Sequence, residues 1–146
     1  MSQYPPVGFS FWVSFGIGDH PVDIAFQDVA GIGMELQTED VVEGGENKFT
    51  QKLPTRANYT PLVLKRGLAI KSPVTDWIRD SIENLSIKPL TIIVALLNEK
   101  KEPLIAYRFI NAYPLKWSIS NFNAETSSVV IETLELYYQY FKIINQ

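Results

Sequence analysis

Residues 9–17 read FSFWVSFGI, and along this stretch apolar side chains alternate with small or polar ones. A period of two in a run of aromatic and β-branched residues predicts a half-buried β-strand. The expected core face comprises Phe9, Phe11, Val13, Phe15 and Ile17. Trp12 lies on the opposite face with Ser10 and Ser14, where an interface role and plain exposure both remain open.

Three more strands are predicted before the middle of the chain. In residues 22–27 the apolar side chains Val22, Ile24 and Phe26 alternate with polar neighbours. Residues 34–39 alternate as well, and we expect the face formed by Glu35, Gln37 and Glu39 to look into water. A short strand over 62–66 is closed by Gly67.

One helix is expected over about residues 73–85. Ser72 is a good N-cap residue, and Pro73 suits the first helical position, where its missing N–H costs nothing. At spacings of three and four, the apolar residues form one stripe, which comprises Val74, Trp77, Ile78, Ile82 and Leu85.

The C-terminal half predicts further strands over 91–97, 104–112, 115–119 and 129–143. The first and last of these are apolar on both faces, so part of their surface should be buried against another copy or another protein. In 129–143, Glu132 and Glu135 are an odd number of residues apart and should point to opposite faces. The chain thus predicts a single domain over 1–146 with about eight strands and one helix, a mainly β (α+β) fold.

Residues 43–61 contain few large aliphatic side chains and are expected to form a long excursion from the domain. An excursion of that length in a compact domain is uncommon and usually functional or mobile.

The composition excludes several classes of function. The net charge is −3 and no basic stripe is present, so specific nucleic-acid binding is not expected. Without cysteine, disulfides, thiolate nucleophiles and Cys-ligated metals are impossible. No apolar run approaches the ~20 residues of a membrane helix, and the opening stretch lacks the basic region of a signal peptide. We therefore expect synthesis in the cytoplasm without membrane insertion.

No constellation of residues predicts catalysis. His20 is the only histidine, and no G-x-S-x-G nucleophile motif occurs. The carboxylates lack calcium-loop spacing, and the Gly-x-Gly pairs lack the third glycine of a dinucleotide site. We expect no catalytic residue, no metal and no cofactor.

A series of short motifs resembles one protein family. They are FQDVAGI at 26–32, EGGEN at 43–47, LKRG at 64–67, DW at 76–77, YPLKW at 113–117 and VIETLEL at 130–136. In this order and spacing, the series resembles the inner tail tube protein of contractile phage tails and phage-tail-like contractile injection systems. The resemblance covers about residues 7–138.

The resemblance implies a β-sandwich or split barrel with one flanking helix. Six copies would form a ring with a lumen-lining β-barrel, and the rings would stack into a hollow tube. The implied partners are a sheath around the tube, baseplate or spike and cap proteins at its ends, and effector cargo in the lumen. The finished particle would be a virion, or an extracellular or membrane-anchored injection machine.

The resemblance also implies roles for individual residues. The segment 43–61 would be an extended loop that reaches other subunits, with Gly44 and Gly45 allowing a tight turn and Asn47 fixing it. Lys65 and Arg66, before Gly67, would pair with carboxylates of a neighbour such as Glu43 or Glu46. On that basis, Gly44→Pro or Arg66→Glu would block assembly without unfolding the monomer. Glu35, Gln37 and Glu39 would be candidate lumen-lining residues.

Two other interpretations remain open at this stage. A baseplate-proximal or terminator ring of the same fold would form single rings that do not stack. A monomeric β-sandwich enzyme or binding module would instead show a concave pocket with convergent polar groups.

Overall fold

A computed structural model describes residues 10–17, 21–42, 50–68, 72–120 and 130–144 of the chain. These residues form ten strands and one helix, which confirms the mainly β fold. The elements are β1 (Ser10–Phe15), β2 (Val22–Phe26), β3 (Asp28–Ala30), β4 (Met34–Val42), β5 (Thr50–Tyr59), β6 (Leu62–Gly67), α1 (Pro73–Glu83), β7 (Leu90–Leu97), β8 (Pro103–Ile119), β9 (Ile131–Tyr137) and β10 (Tyr140–Ile144).

The main sheet closes on itself. Its strand order is β2-β1-β7-β8-β9-β6-β3, with β10 beside β8. The two terminal strands of this path are consecutive in the chain and are separated only by Gln27, whose backbone N donates to the carbonyl of Lys65 at 2.8 Å. One chain segment therefore pairs with β1 and then crosses to β6. This closure leaves fewer open edges than a flat sheet would have.

The closed sheet surrounds an aromatic and aliphatic core. Val13 and Phe15 of β1 are fully buried, as the alternation in residues 9–17 predicts for the described part of that stretch. The Phe15 ring lies 6.2 Å from that of Phe26 and 6.0 Å from that of Trp77. Aromatic pairs at this spacing add to the stabilisation from burial alone.

The helix α1 packs against the core through Val74, Trp77 and Ile78. The backbone N of Val74 donates to the Ser72 hydroxyl at 3.2 Å, which is the expected N-cap bond. Trp77 is buried, and its indole N–H donates to the carbonyl of Lys88 at 3.0 Å. Among the described residues, no helix is long and apolar enough to cross a membrane.

The predicted apolar stripe of the helix is wrong at Ile82 and Leu85. Both side chains are exposed, whereas Ser81 is buried. The helix ends at Glu83, and Leu85 turns away with a φ of 55°. The apolar contact of α1 with the core is therefore shorter than the sequence spacing predicts.

The C-terminal strands also differ from their predicted bounds. β8 is one strand of 17 residues that passes through Pro114, with a register shift between Pro114 and Lys116. The predicted strand over 129–143 is divided into β9 and β10, and the backbone N of Gln139 donates to the carbonyl of Ile110 at 2.9 Å between them.

The segment 43–61, expected as an irregular excursion, contains a strand. β5 pairs with β4 in an antiparallel two-stranded sheet that is separate from the main sheet. We call this two-stranded sheet the ribbon. Periodicity did not reveal β5 because its side chains lack the apolar alternation of a half-buried strand.

The ribbon leaves the body of the subunit at Gly31 and Thr60. Gly31 has a φ of 87°, and an added Cβ would collide with the carbonyl oxygen of Pro61. The Thr60 hydroxyl donates to the carbonyl of Gly31 at 2.7 Å. Two backbone segments therefore meet here at a distance that only glycine allows.

We expect Gly31→Ala to lower the free energy of unfolding by roughly 1–3 kcal/mol, because alanine is strained at this φ and collides with Pro61. Gly33→Ala is the matched control, since its Cβ would only touch the Thr60 hydroxyl oxygen at 3.5 Å. Urea denaturation of both variants tests this. Equal stability would show that the close approach at Gly31 is not required.

Candidate assembly interface

The ribbon has no core of its own. All side chains of residues 34–40 and 51–58 are exposed, although both segments are regular strands. An isolated two-stranded sheet is only marginally stable in water. The ribbon therefore needs another surface to cover it.

The two faces of the ribbon differ in chemistry. Glu35 lies opposite Asn58 and Gln37 opposite Arg56, with Glu39 further along the same face. We call this the polar face. The face is exposed and mostly polar, as the alternation in residues 34–39 predicts, although Leu53 lies opposite Glu39 on it and is 48% exposed.

The opposite side of the ribbon is mostly apolar near the body. Leu36 lies opposite Ala57, and Thr38 opposite Pro54, on the side that also carries Met34. Met34 and Leu36 are each 60% exposed. We call this the apolar face, and it is the part of the ribbon that gains most from contact with another surface.

An aromatic cluster anchors the base of the ribbon. The Tyr59 ring lies 5.8 Å from that of Tyr138 and 5.4 Å from that of Phe141. Burial raises the pKa of the Tyr138 phenol to about 12, with Thr60 lowering it and Tyr59 raising it. The base is therefore fixed to the core while the rest of the ribbon projects.

The predicted interface residues fall into two groups. Residues 43–47, which include Glu43, Gly44, Gly45, Glu46 and Asn47, lie outside the described residues. Lys65, Arg66 and Gly67 lie on β6, where the side chains of Lys65 and Arg66 point to opposite faces of the sheet. Lys65 is exposed on the outer surface, opposite Asp28 and Thr133.

Arg66 is paired inside its own subunit. Its Nε donates to Glu132 Oε2 at 2.8 Å, and both side chains are buried. The indole N–H of Trp117 donates to the other carboxylate oxygen at 2.7 Å, and the guanidinium lies 5.4 Å from the centre of the Phe26 ring. Arg66→Glu would place two carboxylates in this site, so the geometry argues against the expectation that this variant leaves the monomer folded.

The sequence reasoning missed this buried network, although a signal was present. Glu132 alternates with Leu134 and Leu136, which are core residues, while Glu135 points to the other face as expected. A carboxylate on a core face needs a buried cation and a further donor. Arg66 and Trp117 supply them.

A second apolar surface surrounds Trp12 on the outside of the main sheet. Trp12 lies between Ala25 of β2 and Ala95 of β7, and it is 41% exposed. With Leu97 and Pro103, these residues line a groove of about 550 Å³. We call this the Trp12 groove, and its lining is predominantly apolar.

The described residues contain no cluster of three or more His, Cys, Asp or Glu side chains that would hold a metal ion. His20 lies outside those residues. The described residues thus offer two exposed apolar surfaces, the apolar face of the ribbon and the Trp12 groove, that are suited to protein contact.

Most of the chain matches the model of a known protein family. Residues 7–142 match the family described as T4-like virus tail tube protein gp19. No curated protein gives a significant match.

Solved structures show the same fold. A chain in the cryo-EM structure of the anti-feeding prophage baseplate is 31% identical with a TM-score of 0.82, covering 99% of this chain and 97% of that one. A chain in the PVC sheath-tube complex, in the extended state, is 26% identical with a TM-score of 0.76, covering 97% and 93%. Hcp1 from Flavobacterium johnsoniae, at 13% identity, a TM-score of 0.60 and coverage of 92% and 94%, shares the fold.

We expect Glu132→Ala to destabilise the monomer by about 3–5 kcal/mol, because it leaves the buried Arg66 charge without a partner. Glu135→Ala, on the opposite face of the same strand, should change stability by only about 0.5 kcal/mol. Urea denaturation measures both. Similar small losses in the two variants would contradict the assigned role of the buried pair.

Proposed function

The chain belongs to the T4-like virus tail tube protein family, so it is a tail tube protein, and we propose that six copies form a ring and that rings stack into the inner tube of a contractile injection system or phage tail. Sheath contraction would drive this tube through a target envelope. The role is structural and requires no catalytic residue or cofactor.

The observation that carries the proposal is the exposed ribbon. Its apolar face, with Met34 and Leu36, has no cover in the described part of the subunit. A contact between this face and a different surface of another copy is heterologous, and such contacts generate rings or filaments. We therefore assign the ribbon, with residues 43–47 beyond its described strands, to contacts between subunits.

The proposed partners follow from the relatives. Similar chains occur in a sheath-tube complex, in a sheath and tube terminator, in a tube-terminating cap and in a baseplate. We infer that the present tube contacts a sheath along its length, a baseplate or spike at one end and a cap at the other. Assembly into a particle would follow synthesis in the cytoplasm.

We further propose that the polar face of the ribbon lines the lumen. Glu35 and Glu39 are acidic, Gln37 is neutral, and Arg56 adds one positive charge opposite Gln37. Apart from Leu53, which lies opposite Glu39, this hydrated face offers little apolar area to which effector cargo would adhere.

The same fold also suits a second kind of assembly. The 31% identical relative comes from a baseplate structure, whereas the 26% identical relative comes from a sheath-tube complex. This difference favours a baseplate-proximal ring as the alternative to a stacking tube protein. A baseplate ring would stop at one ring, whereas a tube protein would polymerise.

Negative-stain electron microscopy of the purified protein tests assembly. We expect rings at low concentration and hollow tubes at high concentration, or in the presence of a baseplate as a seed. Single rings under all conditions would favour the baseplate role. Monomers even with a seed would contradict the proposal.

Leu36→Ser should weaken assembly and leave the monomer fold intact, because Leu36 is exposed on the apolar face and lies outside the core. Gln37→Ser on the polar face is the matched control and should assemble normally. Sedimentation velocity reports assembly, and circular dichroism reports the fold. Normal assembly of Leu36→Ser would contradict the contact assigned to the apolar face.

Cysteine labelling tests the lumen assignment, since the chain has no native cysteine. In assembled tubes, Glu39→Cys should react with a small maleimide but not with a maleimide polymer too large to enter the channel. Equal reaction with both reagents would place this face on the outside. The unassembled protein, which should react with both, is the control.

A further inference from the structure

A groove lies at the seam where the main sheet closes. On one side of Gln27 the chain pairs with β1, and on the other side it pairs with β6. The strands β2 and β6 lie near each other at this point but do not pair. The space between them measures about 610 Å³, and its lining includes Phe26, Gln27, Arg66 and Gly67. We call it the seam groove.

Arg66 is held rigidly beside this groove. Its side chain is only 9% exposed, its Nε donates to Glu132, and its guanidinium carbon lies 5.4 Å from the centre of the Phe26 ring. Its two Nη groups have no hydrogen-bond acceptor within the described part of the subunit. They are not among the fully buried atoms that lack a partner, so they reach the molecular surface.

The unused part of the guanidinium has a definite shape. A guanidinium is planar and carries its N–H donors along fixed edges. Glu132 takes the Nε side of Arg66, and the edge formed by the two Nη atoms is left open. Two parallel N–H donors on one edge match the two oxygens of a carboxylate. We call this edge the Arg66 fork.

The charges around the fork suit an anion of low charge. Glu132 offsets the positive charge of Arg66 from behind. Lys101 adds a second positive charge near the groove, because its ammonium donates to the hydroxyl of Ser10, which also lines the groove, at 3.2 Å. None of the described residues that line the groove is acidic.

We propose that the Arg66 fork, at the seam groove, is a binding site for a carboxylate group. The carboxylate belongs either to an acidic side chain of another chain in the assembly or to a free small molecule, and the same fork recognises both. The pre-fixed guanidinium loses little side-chain entropy when it binds, which favours this site over an exposed arginine. The site is a property of the single subunit and does not depend on the proposed tube.

Chemical modification of arginine tests the site. The dicarbonyl reagent p-hydroxyphenylglyoxal attacks the Nη groups, and peptide mapping by mass spectrometry gives the rate at each arginine. In unassembled protein we expect Arg66 to react, and sodium acetate to slow its reaction roughly fivefold where sodium chloride of equal ionic strength does not. Arg108, exposed on β8, is the internal control, and acetate should change its rate by less than about twofold.

Two lysine variants test the contribution of charge at the groove. Lys101→Asn should weaken the protection of Arg66 by acetate about threefold, and asparagine tolerates the φ of 64° at this position. Lys100→Asn is the matched control in the same turn and should retain the protection. Equal losses in the two variants would show that general charge attraction accounts for the protection, and would overturn the site.

Assembled particles distinguish the two sources of the carboxylate. If the source is another chain, Arg66 becomes protected on assembly without added acetate. Arg66→Lys, which keeps the charge and lacks the fork, then raises the concentration required for assembly about fivefold or more, whereas Arg108→Lys does not. Circular dichroism verifies the fold of both variants. An Arg66 that stays reactive after assembly, and that acetate still protects, identifies a free carboxylate as the ligand.

The outcomes separate this inference from the proposed function. An Arg66 that does not react in the unassembled protein, or that acetate and chloride protect equally, would overturn the site and leave the tube assignment standing. Failure of the natural protein to form rings or tubes with a seed would overturn the tube assignment and leave the site standing.

Discussion

The ribbon formed by β4 and β5 imposes the main constraint on this protein, because a two-stranded sheet cannot bury its own apolar face. Tyr59 fixes its base to the aromatic core, and Gly31 allows the chain to pass close to Pro61 where it leaves the body. Beyond that point, the side chains of residues 34–40 on β4 and 51–58 on β5 are all exposed. The subunit is thus a stable body with an arm whose stability depends on neighbours.

The body supplies the rigidity that such an arm requires. Its sheet returns to its own starting segment at Gln27, so few strands are left with open edges that would pair at random. The buried pair of Arg66 and Glu132, completed by Trp117, links three strands of the closed sheet. The ribbon, which lies outside this closed sheet, is the part of the described subunit that we assign to contacts with neighbours.

Sequence patterns predicted the parts of the fold that are governed by local rules. The alternation around Val13 and Phe15 and the cap at Ser72 correspond to a buried strand and a helix start. The motif series correctly indicated the tail tube family. The exposed strand β5 was not predicted, since a strand that packs on no core of its own subunit carries no apolar alternation.

Long-range pairing explains the remaining differences. The partner of Arg66 is 66 residues away in the chain, and only the pairing of β6 with β9 brings the two side chains together. The exposure of Ile82 and Leu85 depends on where α1 stops against the core, which helical spacing does not specify. Both features are set by tertiary structure, where propensity is a weak guide.

Hydrogen–deuterium exchange of the ribbon, compared between monomer and assembly, tests the central claim most directly. The account predicts fast exchange of the β4 and β5 amides in the monomer and strong protection in rings or tubes, with the β7 amides protected in both states. Equal exchange of the ribbon in the two states would show that it is not a contact between subunits, and would contradict the account.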